Sequence, residues 1–409
     1  MKKTVLRNYA RLIAKMGVNL QKGQDVIIVA SLDQPEFVTM LAEECYALGA
    51  GRVKVEWEHL PLRKVEMKKG KVRMLSRVED WEKARFEHYV KTLPARIYLD
   101  SDDPDGMRGV NQKKMAQVAK NRFPIIKPYR DAMENKYQWC IAAVPGAAWA
   151  KKLFPELRKS RAIEKLWEAI LKTARADGED PIAAWEAHNK DLRDRYTYLN
   201  SLGIETLEYK SSNGTDLRVG MIPDALFMGG AEAALGSGII YNPNIPSEEV
   251  FTSPMRGQAE GIVYASKPLS YRGEIIDKFW VRFEKGKVVD CHAEVGDALL
   301  REMIGMDEGA AYLGECALVP YSSPIRESGI LFYNTLFDEN AACHLALGMG
   351  FANVLKDYEK YTLDECREKG INDSMIHVDF MIGTKDLSID ARTKDGKKVP
   401  IFRNGEWAF

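Results

Sequence analysis

The chain has 409 residues, of which 45% are hydrophobic and 29% charged, a composition typical of a folded globular protein rather than a disordered or fibrous one. Its 59 basic residues balance its 59 acidic residues, so no overall positive field favours a nucleic acid as the main partner. No stretch approaches the roughly 18 consecutive apolar residues of a membrane span. No apolar segment follows the basic start, so we predict a cytoplasmic protein of two or three domains with no membrane partner.

The first part of the chain alternates between strand and helix patterns, after an amphipathic helix that ends at Gly17. The patterns predict strands at 25–30, 52–57, 96–100 and 138–144, and helices at 35–48, 111–119, 163–174 and 182–202. Short apolar strands that alternate with helices are typical of a parallel sheet covered on both faces. We therefore predict an N-terminal, Rossmann-like α/β domain over residues 1–202.

After about residue 203 the pattern changes to short alternating strands, separated by turn dipeptides such as Asn213-Gly214 and Lys285-Gly286. Strands are predicted at 206–210, 216–219, 277–284 and 287–294. This pattern favours a second domain, residues 203–409, with a mixed, largely antiparallel α+β fold.

Common nucleotide and hydrolase motifs are absent from the sequence. The turn after Ala30 has no glycine that would let a phosphate approach a helix, and neither GxGxxG nor GxxxxGK[ST] occurs. The GxSxG elbow of serine hydrolases and the HExxH helix of many zinc proteases are also missing. A nucleotide-binding enzyme therefore remains only as an alternative.

Two segments of the second half hold acidic residues in surroundings where an unpaired charge is costly. If residues 244–252 are extended, Glu248 and Glu249 point to opposite faces, so only one of them faces a given site; a solvated acidic pair is the alternative. Residues 314–319 read as a strand that is apolar on both faces except for Glu315. A buried carboxylate there requires a cation, either an arginine or a metal ion, and we favour the metal ion.

Two later segments combine an acid with an imidazole. Asn340 is a good N-cap for a helix beginning at Ala341, which would bring Glu339 and His344 together at the two staple positions; helix-end electrostatics is the alternative. His377 and Asp379 are two residues apart in an apolar strand, so they share a face. A structural hydrogen bond between them is the alternative to a shared metal ion.

The charges of these segments favour two divalent cations. Glu249, Glu315, Glu339 and Asp379 would together carry four negative charges, which two such ions would neutralise. Without metal the carboxylates would repel one another and their pKa values would rise. Mixed carboxylate and imidazole ligands suit zinc, cobalt or manganese; magnesium is a further alternative, although an all-oxygen set would suit it or calcium better.

Four segments resemble, in order and content, motifs of the thermophilic-type metallo-aminopeptidases, the aminopeptidase T and S group. These segments are residues 244–251, 314–319, 339–348 and 377–383. The resemblance implies that Glu315 bridges two metal ions, zinc or cobalt, and that the enzyme is a homodimer that removes N-terminal residues from peptides. We expect a water activated by the two ions to hydrolyse the peptide bond. The implied metal ligands are Glu249, Glu315, Glu339, His344, His377 and Asp379. Glu248 is our candidate for the general base, because it adjoins a ligand and needs no metal of its own.

One position departs from the family pattern. Members usually carry a tyrosine seven residues after the histidine of the third motif, as a metal ligand or oxyanion donor, and this chain has Phe351. Because phenylalanine cannot bind a metal, either Tyr333, Tyr358 or Tyr361 substitutes, one metal is bound more weakly, or activity is reduced. A metal-binding but catalytically weak, peptide-binding relative is therefore the alternative function.

Overall fold

The structure of the protein, a computed structural model, describes residues 1–223 and 225–409. These residues form two compact units: Met1–Asn189 with Ala231–Ser247, and Lys190–Gly230 with Glu248–Phe409. The predicted domain boundary between residues 202 and 203 stays a prediction. None of the helices in the described residues combines the length and apolar character that crossing a bilayer requires.

Regular secondary structure covers most of both units. The α-helices are α1 Lys3–Leu12, α2 Pro35–Ala47, α3 Leu60–Lys69, α4 Val72–Leu75, α5 Asp80–Thr92, α6 Gln112–Met133, α7 Ala147–Leu153, α8 Lys159–Thr173, α9 Pro181–Ser201, α10 Asp297–Ile304, α11 Pro324–Glu327, α12 Thr335–Asp338 and α13 Leu363–Glu368. The first ten strands are β1 Val26–Ser31, β2 Val53–Glu58, β3 Ala95–Asp100, β4 Trp139–Ala143, β5 Ile204–Lys210, β6 Asp216–Met221, β7 Glu232–Ala233, β8 Ile240–Tyr241, β9 Asn244–Ile245 and β10 Val250–Thr252. The others are β11 Pro254–Tyr264, β12 Leu269–Tyr271, β13 Glu274–Glu284, β14 Lys287–Val295, β15 Leu313–Leu318, β16 His344–Gly348, β17 His377–Met381, β18 Ser388–Thr393, β19 Lys398–Arg403 and β20 Glu406–Trp407.

The first unit contains a parallel sheet with the strand order β2-β1-β3-β4-β9. Strand β1 is mostly buried, as its continuous apolar run predicts for an inner strand of a parallel sheet. Helix α6 extends well beyond the predicted end at residue 119, with Pro124 and Pro128 inside it. The predicted Rossmann-like parallel α/β fold is confirmed.

The second unit is built from antiparallel sheets. The larger has the order β12-β13-β11-β6-β5-β18-β19-β20, with β14 paired to β13. The smaller has four strands in the order β10-β15-β16-β17, and three of them are almost entirely buried. The predicted change to a largely antiparallel fold is confirmed, and the smaller sheet carries the acidic and imidazole side chains discussed below.

The predicted helix beginning at Ala341 is wrong. Residues Glu339–Ala341 form one 3₁₀ turn, and the chain then becomes strand β16, which pairs with β15 on one side and β17 on the other. Alanine and leucine are among the best helix formers, but helix propensity is a weak preference that tertiary contacts override, and a strand between two neighbours satisfies its backbone groups on both edges. Long-range pairing therefore outweighs local preference here.

Candidate metal centre

One face of the four-stranded sheet gathers the predicted metal ligands. Glu315 lies on β15, His344 on β16, and both His377 and Asp379 on β17. Glu249 immediately precedes β10. Each antiparallel neighbour thus adds ligands from a different part of the sequence to one surface.

The strand register explains why these side chains face the same way. Ala346 lies opposite Glu315 on one side and opposite Asp379 on the other, and directly paired residues of antiparallel strands share a face. His344 is two residues from Ala346 and therefore also shares that face. His377 lies opposite Gly348, so small residues occupy the floor between the ligands and leave room above it.

The side chains form two groups that meet at Glu315. Ligand atoms of Glu249, Glu315 and His344 all lie within 4.8 Å of one another, as do those of Glu315, His377 and Asp379. His344 Nε2 is 3.1 Å from Glu249 Oε2, and His377 Nε2 is 3.1 Å from Glu315 Oε2. Glu315 is thus placed to contribute to two adjacent cation sites.

Backbone carbonyls orient both imidazole rings. His344 Nδ1 lies 3.1 Å from the Ala342 carbonyl oxygen, and His377 Nδ1 lies 2.7 Å from that of Met349. If each Nδ1–H donates to its carbonyl, each Nε2 presents a lone pair toward the carboxylates. Metal-binding histidines commonly have this arrangement, in which the second nitrogen is held by a hydrogen bond.

Glu339 lies in the 3₁₀ turn before β16 and belongs to neither ligand group, but it hydrogen-bonds Asp379 and is held by the neighbouring Asn340. The Asn340 amide nitrogen donates to Glu339 Oε1 at 3.3 Å and to the Leu336 carbonyl at 2.9 Å. Its carbonyl oxygen accepts the backbone N–H of Glu248 at 2.6 Å. The fully buried Asn340 therefore connects the turn that carries Glu339 to the segment that carries Glu248 and Glu249.

Burial and mutual repulsion shift the protonation of the acids. Burial, together with the charges of Glu249 and Asp379, raises the pKa of Glu315 to about 7. Burial and the same kind of repulsion raise the pKa of Glu339 well above its usual range. Burial opposes ionisation of Asp379 too, but the charge of His377 and a hydrogen bond from Glu339 lower its pKa to about 2.

The two histidines respond in the opposite sense. Burial alone would lower the pKa of His344, but its hydrogen bond to Glu249 and the surrounding carboxylates raise it to about 9. The pKa of His377 is likewise raised by Asp379 and Glu315 against the effect of burial. Protons therefore supply the positive charge that the acidic cluster requires when no cation is bound.

The donor set fits divalent metal ions. Asp379 Oδ1 is buried and lies 3.2 Å from His377 Nε2, but that contact lacks hydrogen-bond geometry, and the oxygen has no hydrogen-bond partner among the described residues. A buried carboxylate oxygen without a hydrogen bond is costly, and a metal cation would satisfy it where the imidazole now supplies only an ion pair. Four carboxylates and two oriented imidazoles match the ligands that zinc and similar ions take in proteins.

Metal affinity should depend on pH because binding displaces these protons. The protons on Glu315, Glu339 and both histidines must leave before the ligands can bind a cation. We expect the apparent dissociation constant for zinc to fall as pH rises from about 6 to about 8, since the pKa of Glu315 lies in that range and that of His344 above it. Competition with a chelator at a series of pH values measures this, and a flat profile would contradict it.

Two other predicted positions lie beside the ligand groups. Glu248 is buried but belongs to neither group, and residues 246–249 form no strand, so the predicted strand alternation does not apply to Glu248 and Glu249. Phe351 does not continue a helix from His344. Instead its ring lies 4.8 Å from the His377 ring and 5.6 Å from that of Phe251.

Sequence reasoning missed the residues that hold the ligands in place. The sequence predicts Asn340 as a helix cap. An amide flanked by an acid and an apolar run is equally suited to be buried and to hydrogen-bond two segments of the chain, as Asn340 does. Ala346 and Gly348 carried no signal of their own, because only the strand register places them beneath the ligands. The carbonyls of Ala342 and Met349 leave no trace in the sequence at all.

The whole chain matches known proteins. A family model described as thermophilic metalloprotease (M29) matches residues 2–407. The chain is 40% identical to aminopeptidase AmpS of Bacillus subtilis and 41% identical to aminopeptidase 2 of Geobacillus stearothermophilus, covering 99% of this chain and 98% of each relative. The solved structure of wild-type AmpT from Thermus thermophilus matches with a TM-score of 0.89 at 37% identity, over 100% of both chains.

These matches confirm the resemblance that the four motifs predict, and with it the prediction of a metallopeptidase. The structural match also confirms the predicted fold class, since it extends over the parallel and the antiparallel sheets alike. This chain belongs to the M29 family of thermophilic metalloproteases.

Proposed function

We propose that the protein is a metal-dependent aminopeptidase that uses two divalent cations, zinc or cobalt in the first instance, to release N-terminal residues from peptides. The observation that carries the proposal is the position of Glu315, which belongs to both ligand groups. The names of the relatives support the reaction. Glu249, Glu315 and His344 would hold one ion, and Glu315, His377 and Asp379 the other, with Glu339 completing the set.

When bound, a pair of cations would supply Lewis acidity, which polarises the scissile carbonyl and lowers the pKa of an attacking water. The chain's own residues handle the proton. Glu248 lies one residue from Glu249 and outside both ligand groups, so its carboxylate is our candidate to accept the proton of the attacking water and return it to the leaving amine. Its backbone N–H is fixed by Asn340, which limits how far this segment can move.

Phe351 supports a second candidate function, a metal-binding protein with weak or no peptidase activity. The ring packs against the imidazole of His377 and offers no hydroxyl to a ligand or a developing oxyanion. Tyr358 and Tyr361 pack against the same apolar cluster as Phe351. Turnover measured with metal bound separates the two functions.

The test compares a peptide that has a free amino terminus with the same peptide N-acetylated, using protein loaded with zinc or cobalt. We expect hydrolysis of the first only, release of single N-terminal residues, and loss of activity after chelation that returning metal restores. Cleavage of the acetylated peptide at internal bonds would instead indicate an endopeptidase. Zero turnover of both peptides with two metals bound per chain would favour the catalytically inactive function.

A cytoplasmic location, a homodimeric assembly and substrates with a free N-terminus belong to the same proposal. The charge balance of the chain favours peptides over nucleic acids as substrates. Sedimentation of the metal-loaded protein measures the assembly directly. A monomer at every concentration would remove the dimer from the proposal and leave the chemistry untouched.

A further inference from the structure

The first unit carries a strongly basic surface in a chain whose total charge is zero. Helices α3 and α4, which lie on it, contain no buried residue. Residues 60–77 hold one acidic residue, Glu66, against seven basic ones: Arg63, Lys64, Lys68, Lys69, Lys71, Arg73 and Arg77. Seven minus one gives this short segment a net charge of +6.

Helix α6 extends the surface. Lys114 Nζ donates to the Gly70 carbonyl, and Asn121 Nδ2 donates to Ser76 Oγ at 2.9 Å, so the first half of α6 runs beside residues 70–77. That half adds more lysines and arginines with no acidic residue before Asp131. We call residues 60–77 together with 112–123 the basic face.

Most cations of the basic face have no acidic partner. Within the described residues, seven of its basic side chains are exposed and form no ion pair: Arg63, Lys68, Lys69, Lys71, Arg73, Lys113 and Lys120. Elsewhere in the first unit, exposed cations such as Arg7 are paired with glutamates. Unpaired like charges at close range repel one another, and an anionic surface would relieve that repulsion.

Large apolar side chains lie among these cations. Leu62, Val65 and Met74 are 56%, 55% and 54% exposed. Counting Trp57 and Trp81, five of the fifteen large hydrophobic residues that are exposed in the described structure fall between positions 57 and 81. Exposed leucine, valine and methionine beside lysine and arginine would add apolar contacts to a surface whose cations already attract anions.

We propose that the basic face binds the surface of an anionic phospholipid membrane, with its lysines and arginines on the headgroups and Leu62, Val65 and Met74 at the acyl boundary. Clusters of four to eight basic residues on such helices suit this role. A two-fold contact with a second copy is disfavoured, because it would bring the same unpaired cations face to face. The contact would be peripheral, and it revises the prediction that the protein has no membrane partner.

The test is co-sedimentation of the full-length, metal-loaded protein with vesicles of phosphatidylcholine, with and without phosphatidylserine. We expect binding only to the vesicles that contain phosphatidylserine, weakening as salt is added. Reversing three charges, with Lys68→Glu, Lys69→Glu and Lys71→Glu, should lower that binding at least tenfold. Replacing Leu62 and Val65 with serine should weaken binding without changing its salt dependence.

A matched control reverses three exposed lysines of the second unit, with Lys285→Glu, Lys287→Glu and Lys356→Glu. This variant changes the net charge by the same amount and should bind as the unaltered protein does. Equal loss of binding in both variants would overturn the proposal, as would no binding of the unaltered protein at low salt. If the variant with Lys68, Lys69 and Lys71 reversed instead dissociates a dimer, or loses affinity for RNA, while its vesicle binding is unchanged, the proposal is wrong. The basic face then binds a second copy or RNA and not lipid.

Discussion

Replacing Glu315 with glutamine is expected to lower zinc affinity at least about 10²-fold and kcat at least about 10³-fold. The reason is that an uncharged amide would replace a carboxylate that belongs to both ligand groups.

The same Glu315→Gln change should raise the melting temperature of the metal-free protein. Burial and repulsion raise the pKa of Glu315 from its ordinary value of 4.5 to about 7, so ionising it costs stability in the folded state.

The sign of the stability effect depends on pH. Because the folded-state pKa is the higher one, the penalty is absent below about pH 4.5, grows between there and about pH 7, and is complete above that. The melting temperatures of the metal-free forms should therefore differ most at about pH 8 and converge in acid. Thermal unfolding with and without chelator measures this, with the exposed Glu284→Gln as the control variant. A metal-free Glu315→Gln protein that melts below the unaltered one at about pH 8 would contradict the electrostatic account.

Replacing Asn340 with alanine is expected to destabilise the protein by about 3 kcal/mol, since it leaves the Glu248 N–H and the Leu336 carbonyl without a partner in a buried place. It should also weaken zinc binding by about 10- to 100-fold, because Glu339 loses the amide that orients it. Denaturant unfolding and metal titration measure the two effects separately.

Asn200 offers a matched control for that substitution. Its amide donates to the Phe227 carbonyl at 2.9 Å and accepts the Phe227 N–H at 2.7 Å, so it too bridges two segments of the second unit. Asn200→Ala should cost stability and leave zinc affinity unchanged. If both variants weakened metal binding equally, Asn340 would have no particular role in positioning the ligands.

The parts of the fold that depend on local pattern were predictable. A continuous apolar run predicted β1 and alternation predicted β2, while the two-residue period of a strand predicted that His377 and Asp379 share a face of β17. Successive side chains of a strand point to opposite faces, so the buried face leaves a pattern of apolar residues in the sequence. Such a pattern can be recognised without knowing which strands pair.

Features that depend on distant partners were not predictable in the same way. Residues 341–348 suit a helix by composition, and only the presence of β15 and β17 on either side makes them a strand. The staple geometry predicted for Glu339 and His344 does not exist, because residues 339–341 form a 3₁₀ turn and His344 lies on a strand. A two-residue strand such as β9 carries too little pattern to reveal that it extends the parallel sheet.

The ligands on the four-stranded sheet come from positions as far apart as Glu249 and Asp379, and a long stretch of chain separates β10 from its partner β15. No short fragment of this chain contains a complete set of donors. A nascent or cleaved polypeptide would therefore bind metal ions at this site only after the last of these strands had paired. Cation binding would then measure whether the second unit has folded completely.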